Sequence, residues 1–561
     1  MSDPTDISFV RDPSRSDSRL GEATGSVTYR SAGACLIIGE LDAALEVLAS
    51  LPSLSCTVFV PDDALARPDR RLLDTGVAVI RGGALALDGH LGDFTAVAGD
   101  GEARLDLGTA TRRENGRFDL VLDLGGEPRF VQRLPPIGYT HLPPGTEAPV
   151  ARERLEALDG LVGEFDKPRY FRYRQEVCAH SRSSLRGCSR CLEACTTGAI
   201  SSSGDGVSVD PWLCQGCGGC ATVCPTGAMS YAYPALPEAV ERTRALSAAR
   251  PVDTLVLHVE DDQPGVDASM PSHGALSLAV EQVAAFGLDY WLTALAGGTV
   301  RIVLVGDAPA DDPIRLALEE QAALLHRLLA GLEGREGMGD AVPVVRTVPL
   351  DGLRAVLAEP VIGAAPAWQG GAAFTVGDDK RGTLRAALDV LSERYPPSSP
   401  VLELPPGAPF GRIDVDTAAC TLCMACVSTC PAGALLDGRD VPALRLIEAN
   451  CVQCGLCEQA CPEAAISLRP RYVWDSVEAR RSQVLHEEAP FHCVRCQKAF
   501  ATQRMIDTMT AKLADHWMFR DAKAVNRLKM CEDCRVKDLF EHEPGGLDVH
   551  GGGRPRDGGA A

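Results

Sequence analysis

Basic residues are fewer than acidic residues in this 561-residue chain. It holds 55 Lys and Arg against 76 Asp and Glu, which gives a formal net charge of −21 at neutral pH. So acidic a balance disfavours nonspecific binding to nucleic acid or to an anionic membrane as the main role, because both of these surfaces repel it. The composition instead favours a cationic or locally basic partner.

Long apolar runs without charges are also lacking. The first 25 residues contain no apolar segment behind a basic start, and the most apolar long stretch, Gly274 to Gly298, carries Glu281, Gln282 and Asp289. These patterns fit neither an export signal nor a membrane span, so we expect a cytoplasmic protein without membrane insertion. The 22 cysteines would stay reduced in the cytosol, which makes them candidate metal ligands.

Eight cysteines form a doubled motif in which three cysteines two residues apart are followed by a fourth and a proline. The first half is Cys420, Cys423, Cys426 and Cys430, and the second half is Cys451, Cys454, Cys457 and Cys461. Three closely spaced thiolates can wrap one [4Fe-4S] cubane, while the fourth reaches the neighbouring cluster. The expected ligand sets are therefore crossed: Cys420, Cys423, Cys426 and Cys461 for one cluster, and Cys451, Cys454, Cys457 and Cys430 for the other.

This doubled motif, with its surroundings from Arg412 to Pro470, resembles the bacterial two-cluster ferredoxins. The resemblance implies a dicluster ferredoxin module over residues 411–470. Zinc in these thiols is the alternative, which the doubled motif and its prolines disfavour.

An earlier copy of the motif departs from the pattern at one position, where Leu185 stands in place of the first cysteine. Three remedies are open: Cys178 folds back to the cluster, His180 substitutes, or the site holds a three-iron cluster without a fourth ligand. We favour Cys178, because it restores a set of four thiolates. We thus expect a second module over residues 170–235, with the following ligand sets: Cys178, Cys188, Cys191 and Cys224 for one [4Fe-4S] cluster, and Cys214, Cys217, Cys220 and Cys195 for the other.

Two CxxC pairs follow near the C-terminal end, within residues 485–540. They are Cys493 with Cys496, and Cys531 with Cys534. Four thiolates in two such turns suit a tetrahedral zinc site, with a rubredoxin-like iron as the rival. Rubredoxins favour Gly after each pair, where this chain has Gln497 and Arg535, so zinc is preferred. Between the pairs, large apolar residues recur at every fourth position. This spacing predicts a helix with one buried face, formed by Met505, Met509, Leu513 and Trp517.

The remaining segments read as α/β domains. Over residues 26–150, strand-like runs at ACLIIG, CTVFVP, VAVI and FDLVLDL accompany a helical run at LDAALEVLASL, which predicts a Rossmann-like domain. No G-x-G-x-x-G is present, so nucleotide binding is disfavoured. Its two cysteines, Cys35 and Cys56, lie in apolar runs and are expected to act as small buried hydrophobes.

Residues 251–400 predict a central domain with a parallel sheet covered by helices, one of them from Ala275 to Leu295. The Gly-rich tail over residues 541–561 and the first 25 residues are expected to be disordered. The overall fold class is therefore multidomain α/β and α+β.

No catalytic residue is proposed, because no nucleophile or acid/base constellation is recognisable, and this pattern favours an electron carrier over an enzyme. The stretches GEFDKPRYF, CAHSR and GDDKRGTLRAALDVL are similar to those of large proteobacterial iron–sulfur proteins encoded beside respiratory formate dehydrogenases. That resemblance implies a polyferredoxin that serves a formate dehydrogenase as accessory or electron-transfer partner. An assembly or maturation factor for the same oxidoreductase, and a catalytic subunit resembling heterodisulfide reductase components, are the open alternatives.

Overall fold

The computed structural model describes residues 25–63, 69–73, 76–99, 104–247, 252–271, 274–333, 344–360, 374–377, 379–438, 441–513, 516, 519 and 521–542. Apart from residues 25, 541 and 542, the two segments predicted to be disordered lie outside these ranges, as does Trp517. The chain divides into two compact units. One comprises Met1–His180 and Cys188–Pro400, and the other comprises Ser181–Gly187 and Val401–Ala561.

The N-terminal domain is built on a six-stranded sheet in the order β10-β9-β2-β3-β5-β4, in which only β4 is antiparallel to its neighbour. Its elements are β1 Ser26–Ser31, β2 Ala34–Ile38, α1 Leu41–Leu48, β3 Ser55–Pro61, β4 Asp69–Leu72, β5 Ala78–Gly82, β6 Leu85–Asp88, β7 Thr95–Ala98, β8 Leu105–Asp106, α2 Leu107–Ala110, β9 Leu120–Asp123, β10 Tyr139–His141, α3 Ala148–Asp159 and β11 Gly163–Pro168. The four predicted strands and the predicted helix are all present. Leu36, Ile37 and Ile38 in β2 are fully buried, as expected for a strand covered on both faces.

The first cysteine-rich module follows directly along the chain. Its elements are β12 Phe171–Tyr173, β13 Ser181–Arg182, β14 Leu185–Arg186, α4 Arg190–Glu193, β15 Ile200–Ser202, β16 Val207–Val209, α5 Gly219–Val223 and β17 Met229–Tyr231. Antiparallel pairs join β12 to β17 and β15 to β16. Cys191 lies in α4 and Cys220 lies in α5, whereas the other cysteines of the module lie outside its helices and strands.

The central domain has a wholly parallel four-stranded sheet in the order β19-β18-β20-β21. Its elements are α6 Leu236–Ser247, β18 Thr254–Val259, α7 Gln263–Ser269, β19 Ala275–Val280, α8 Leu288–Ala296, β20 Arg301–Val305, α9 Pro313–Leu329, β21 Val345–Val348, α10 Leu353–Ala358 and α11 Lys380–Arg394. The predicted parallel sheet with helices between its strands is confirmed.

The predicted helix from Ala275 to Leu295 is wrong in its first half, because Ala275–Val280 is strand β19, which pairs with β18. A short apolar run of this length suits a buried strand as well as a helix, and only its neighbour in the sheet decides between them. The helix begins at Leu288, after Gly287 in extended conformation, and ends at Ala296.

The second cysteine-rich module and the C-terminal region belong to the other unit, as does the short hairpin of β13 and β14. The module contains β22 Val401–Glu403, β23 Gly411–Val415, α12 Ala425–Ser428, β24 Leu435–Asp437, β25 Ala443–Ile447, α13 Leu456–Ala460, β26 Ile466–Val473, α14 Ser476–Arg480 and β27 Ser482–Glu487. β26 lies between β22 and β23, and β25 lies between β24 and β27. The second module thus has three-stranded sheets where the first module has two-stranded ones.

The C-terminal region contains β28 Pro490–His492, β29 Ala499–Thr502, α15 Gln503–Leu513, α16 Ala522–Leu528 and α17 Glu532–His542. In α15, Met505, Met509 and Leu513 are only half-buried, and Ile506 is the residue that packs inside. The predicted helix is present, but its inner face is centred one residue further along the chain. None of the described helices combines the length and the hydropathy needed to cross a membrane.

Candidate metal centres

Four cysteines of the second module line a cavity of about 340 Å³. They are Cys420, Cys423, Cys426 and Cys461. Burial raises the pKa of Cys426 to about 12, and repulsion by the thiolates of Cys423, Cys420 and Cys461 adds to the rise. The four thiols therefore face one shared cavity.

A second cavity of about 380 Å³ lies in the same module. Its cysteines are Cys430, Cys451, Cys454 and Cys457. Burial raises the pKa of Cys457, and Cys451, Cys454 and Cys430 contribute further repulsion. Cys430 thus lies with the second half of the motif and Cys461 with the first half, so the structure brings together the two crossed sets.

In each complete cysteine loop, the backbone is left-handed at two fixed positions. The residues two and four places after the first cysteine have positive φ in all three loops: Gly216 (79°) and Gly218 (82°), Leu422 (54°) and Met424 (60°), and Gln453 (55°) and Gly455 (81°). Residues other than glycine adopt this conformation at a cost of about 1 kcal/mol or more. The repeated turns direct the three sulfurs of each loop to one side.

A further left-handed residue stands three places after the fourth cysteine in all four halves. These residues are Gly198 (69°), Gly227 (71°), Gly433 (59°) and Ala464 (48°). The first half of the first module therefore keeps this turn, although it has Thr196 where the other halves have proline.

Cys178, Cys188 and Cys224 surround Cys191 in the first module. Burial raises the pKa of Cys191 to about 12, and repulsion by the thiolates of Cys224, Cys188 and Cys178 adds to the rise. Burial likewise raises the pKa of Cys188, to which Cys224 and Cys178 contribute. The four sulfurs of this predicted set are thus close enough for their charges to interact, and Cys178 itself is buried.

The substituted position, Leu185, lies in strand β14, which pairs with β13 in a tight hairpin. Ser183 and Ser184 form its turn with positive φ, so the loop is not wound as in the complete halves. His180 is buried, with Nδ1 2.9 Å from the Cys188 carbonyl oxygen and Nε2 2.8 Å from the Ser202 hydroxyl. Both ring nitrogens are engaged, which leaves neither of them to a metal.

The other set of the first module gathers around Cys220. Burial raises the pKa of Cys220, and repulsion by the thiolates of Cys217, Cys214 and Cys195 follows in size. The Thr196 hydroxyl lies 3.8 Å from the Cys217 sulfur, where it can donate a weak hydrogen bond. In the second module, each cavity is lined by one predicted set of four cysteines. In the first module, the other three members of the predicted set are among the thiolates that raise the pKa of Cys191 and of Cys220, and Cys191 adds a smaller contribution at Cys220.

Backbone N–H groups donate to several of these sulfurs. Met229 N–H reaches the Cys224 sulfur, Ala434 N–H reaches that of Cys430 and Ala465 N–H reaches that of Cys461, each with an N to S distance of 3.3 Å. The Gln453 amide donates to the Cys451 sulfur at 3.2 Å. Donors of this kind stabilise negative charge on a cluster thiolate, and sequence patterns do not reveal them.

Lys167 of β11 reaches into the first module. Its ammonium donates to the carbonyl oxygens of Trp212 (3.0 Å) and Cys214 (2.6 Å) and lies 4.8 Å from the centre of the Tyr29 ring. Burial lowers the pKa of Lys167 to about 8, while negative charge at Cys214 and Asp210 opposes the fall. The ammonium thus lies against the segment that leads into Cys214.

The two CxxC pairs of the C-terminal region converge on one point. The sulfurs of Cys493, Cys496, Cys531 and Cys534 all lie within 4.8 Å of one another. Burial alone would raise the pKa of Cys493, but N–H groups of Cys531, Cys496 and Arg495 outweigh it and lower this pKa to about 6. Four thiolates at this spacing suit a single metal ion.

Among the described residues, this is the one group of three or more potential ligands compact enough for a single ion. The sixteen other candidate cysteines are more widely spaced within their groups. A wider spacing is what a cubane needs, because its thiolates bind different iron atoms.

Cys35 and Cys56 take no part in these groups. They stand opposite each other in the register of parallel strands β2 and β3, with Cys35 fully buried. The sequence predicted their apolar surroundings but not their pairing, which depends on the order of the strands.

Comparison with known families agrees with the two modules. Residues 186–228 and residues 419–466 each match a family described as "4Fe-4S dicluster domain". The first match begins after Cys178, so that cysteine lies outside the recognised pattern. No curated protein matches the chain. The chain thus contains two dicluster ferredoxin domains, and such domains point to iron–sulfur electron transfer.

Proposed function

We propose that this protein carries electrons through four [4Fe-4S] clusters, two in each dicluster domain. The observation that carries the proposal is the crossed arrangement of the second module, in which two cavities are each lined by three cysteines of one half and one of the other. Neither half alone supplies four sulfurs to a cavity. This exchange of ligands is the architecture of a two-cluster ferredoxin.

In the first module, the proposed ligands are the set that includes Cys178 and the set centred on Cys220. Buried thiols whose pKa values are raised would stay protonated by themselves, and bound iron supplies the positive charge that holds them as thiolates. The cysteines therefore suit cubanes both in their spacing and in the negative charge that their thiolates offer to iron.

Each cluster, when bound, accepts and gives up one electron at a time. The protein supplies the surroundings: apolar walls that restrict water, and N–H donors that stabilise the added charge on sulfur. Leu444 and Ile466 line the first cavity of the second module, and Ile413, Leu446 and Leu468 line the second. The polar donors there are the N–H groups of Ala434 and Ala465 and the Gln453 amide.

For the compact four-cysteine group we propose a structural zinc ion. It would tie β28, through Cys493, to the start of α17, where Cys531 and Cys534 stand, and so close the helical region between them. Closed four-thiolate coordination leaves no position for a substrate.

The proposed partner is a molybdenum or tungsten formate dehydrogenase, on the resemblance of the stretches around Lys167, Cys178 and Lys380. The proposal includes a cytoplasmic location, because the cluster thiols need a reducing compartment. We further propose a Rossmann-like character for the N-terminal domain without a bound nucleotide.

The experiment is an anaerobic coulometric titration of the full-length protein. Four one-electron clusters predict uptake of about four electrons per chain. The reduced protein is then mixed with an oxidised electron acceptor of formate dehydrogenase. It should be reoxidised when the isolated enzyme is added and should stay reduced without the enzyme. Clusters that take up no electrons within the range of ferredoxin potentials would favour the maturation factor instead.

A further inference from the structure

The segments that lead into Cys214 and Cys420 have the same construction. Each begins with an aspartate four residues before the cysteine. The Asp210 carboxylate accepts N–H groups of Trp212 (2.8 Å) and Leu213 (3.1 Å), and Asp416 does the same for two alanines (2.8 and 3.3 Å). The aspartates therefore contribute the same charge to both centres, and any difference must come from other groups.

A cation from elsewhere in the chain holds each of these turns. Lys167 donates to the carbonyl oxygens of Trp212 and Cys214. In the second module, Arg504 donates to those of Thr417 (2.7 Å) and Ala418 (2.6 Å). The carbonyl two residues before the cysteine is thus bound by a cation in both modules.

The two cations differ in their ion pairs. Arg504 Nε lies 3.2 Å from the Glu488 carboxylate, and its side chain is 40% exposed. Glu488 is also near enough to Cys420 to help raise the pKa of that thiol, after burial and neighbouring thiolates. Among the described residues, no carboxylate lies within 4.0 Å of the Lys167 ammonium, which is half-buried above Tyr29. The charge of Arg504 is therefore balanced by a carboxylate within 4.0 Å, whereas the charge of Lys167 is not.

We propose that Lys167 raises the reduction potential of the cluster held by Cys214, Cys217, Cys220 and Cys195 above that of the cluster held by Cys420, Cys423, Cys426 and Cys461. A nearby cation stabilises the reduced cluster, because reduction makes that cluster more negative. Of these two clusters, the one in the first module is then reduced first. This inference rests on the proposed function, since it requires the clusters.

The charge is strong enough to be measured. At an effective dielectric constant of about 20, a unit charge about 10 Å away changes a one-electron equilibrium about tenfold. A tenfold change corresponds to about 59 mV for a one-electron couple. The test is a redox titration of the holoprotein, followed by EPR at fixed pH, with iron and sulfide counted first in every sample.

In Lys167→Met, the reduction potential of one cluster should fall by about 59 mV. The other clusters should keep their potentials. Lys167→Arg should keep the wild-type value, because it retains the charge. The matched control is the double variant Arg504→Met with Glu488→Gln, which removes a neutral pair and should shift no potential. If Lys167→Met loses iron, Lys167→Gln replaces it, since the amide still donates to a carbonyl without the charge.

If Lys167→Met or Lys167→Gln keeps its full iron content and shows no shift in reduction potential, the inference is overturned. The proposed function would remain intact. A shift as large in the double control would also overturn it, because loss of the contacts would then shift a potential without any change in net charge. Wild-type protein without a cluster on the Cys214 set would instead contradict the proposed function.

Discussion

The His180 ring is fixed to Cys188 by a hydrogen bond from Nδ1 to the Cys188 carbonyl oxygen at 2.9 Å. The second ring nitrogen is held by the Ser202 hydroxyl, so the imidazole orients the cysteine and does not compete with it for a metal. The thiol of Cys178, two residues earlier, is the one that lies with Cys188, Cys191 and Cys224. This relationship favours Cys178 as the side chain that replaces the ligand missing at Leu185.

Cys178→Ala should convert one cluster into a three-iron cluster, because an iron that loses its thiolate is readily released. We expect a three-iron EPR signal in the oxidised protein, with the signals of the other three clusters unchanged on reduction. Cys35→Ala, which removes a buried thiol outside the groups, should show no such signal. A three-iron signal already present in the wild type would contradict the assignment of Cys178.

Cys531→Ser should release the zinc ion, because three thiolates and a hydroxyl bind zinc less tightly than four thiolates. The region from Gln503 to His542 should then be cut faster by protease, while the visible absorbance of the cubanes stays unchanged. Zinc is measured by mass spectrometry, with Cys56→Ser as the control. Loss of visible absorbance instead would show that these thiols hold iron.

Glu448→Ala should lower the free energy of unfolding by about 3 kcal/mol, because it leaves the Arg471 guanidinium unpaired in a buried site. Glu448 is 1% exposed and makes two hydrogen bonds to Arg471, at 2.8 and 2.7 Å, just before Cys451. Anaerobic urea titration followed by circular dichroism measures the change.

The matched control for that pair is Glu164→Ala. Its partner is Arg30, at 2.8 Å, and both side chains are exposed. An exposed pair contributes little to stability, because its charges attract each other only weakly in water. Equal decreases in the free energy of unfolding of the two variants would mean that burial does not strengthen the ion pair between Glu448 and Arg471.

The cysteine groups could be predicted from sequence because loops of two residues between ligands leave little conformational freedom. The same spacing indicated that the fourth cysteine of each half reaches the other cavity, and the structure places Cys430 and Cys461 accordingly. The sequence left three answers open at Leu185: Cys178, His180 or a three-iron cluster. The hydrogen bonds of both His180 ring nitrogens disfavour His180, and they depend on side-chain positions that the sequence does not give.

Other features depend on tertiary neighbours. Strand β19 was predicted as helix, because its six residues show no periodicity that distinguishes the two and only the pairing with β18 makes them a strand. The contact of Lys167 with Cys214 joins residues 47 positions apart, and the pairing of Cys35 with Cys56 depends on strand order. Local pattern contains no signal for either relationship.

The metal and sulfide content of anaerobically purified full-length protein tests the central claim most directly. Four cubanes and one four-thiolate zinc site predict about 16 iron, about 16 sulfide and about one zinc per chain. Mössbauer spectra of the same sample should assign the iron to [4Fe-4S] clusters. A content near 8 iron and 8 sulfide per chain, about half of that expectation, would remove the clusters of one module and contradict the account.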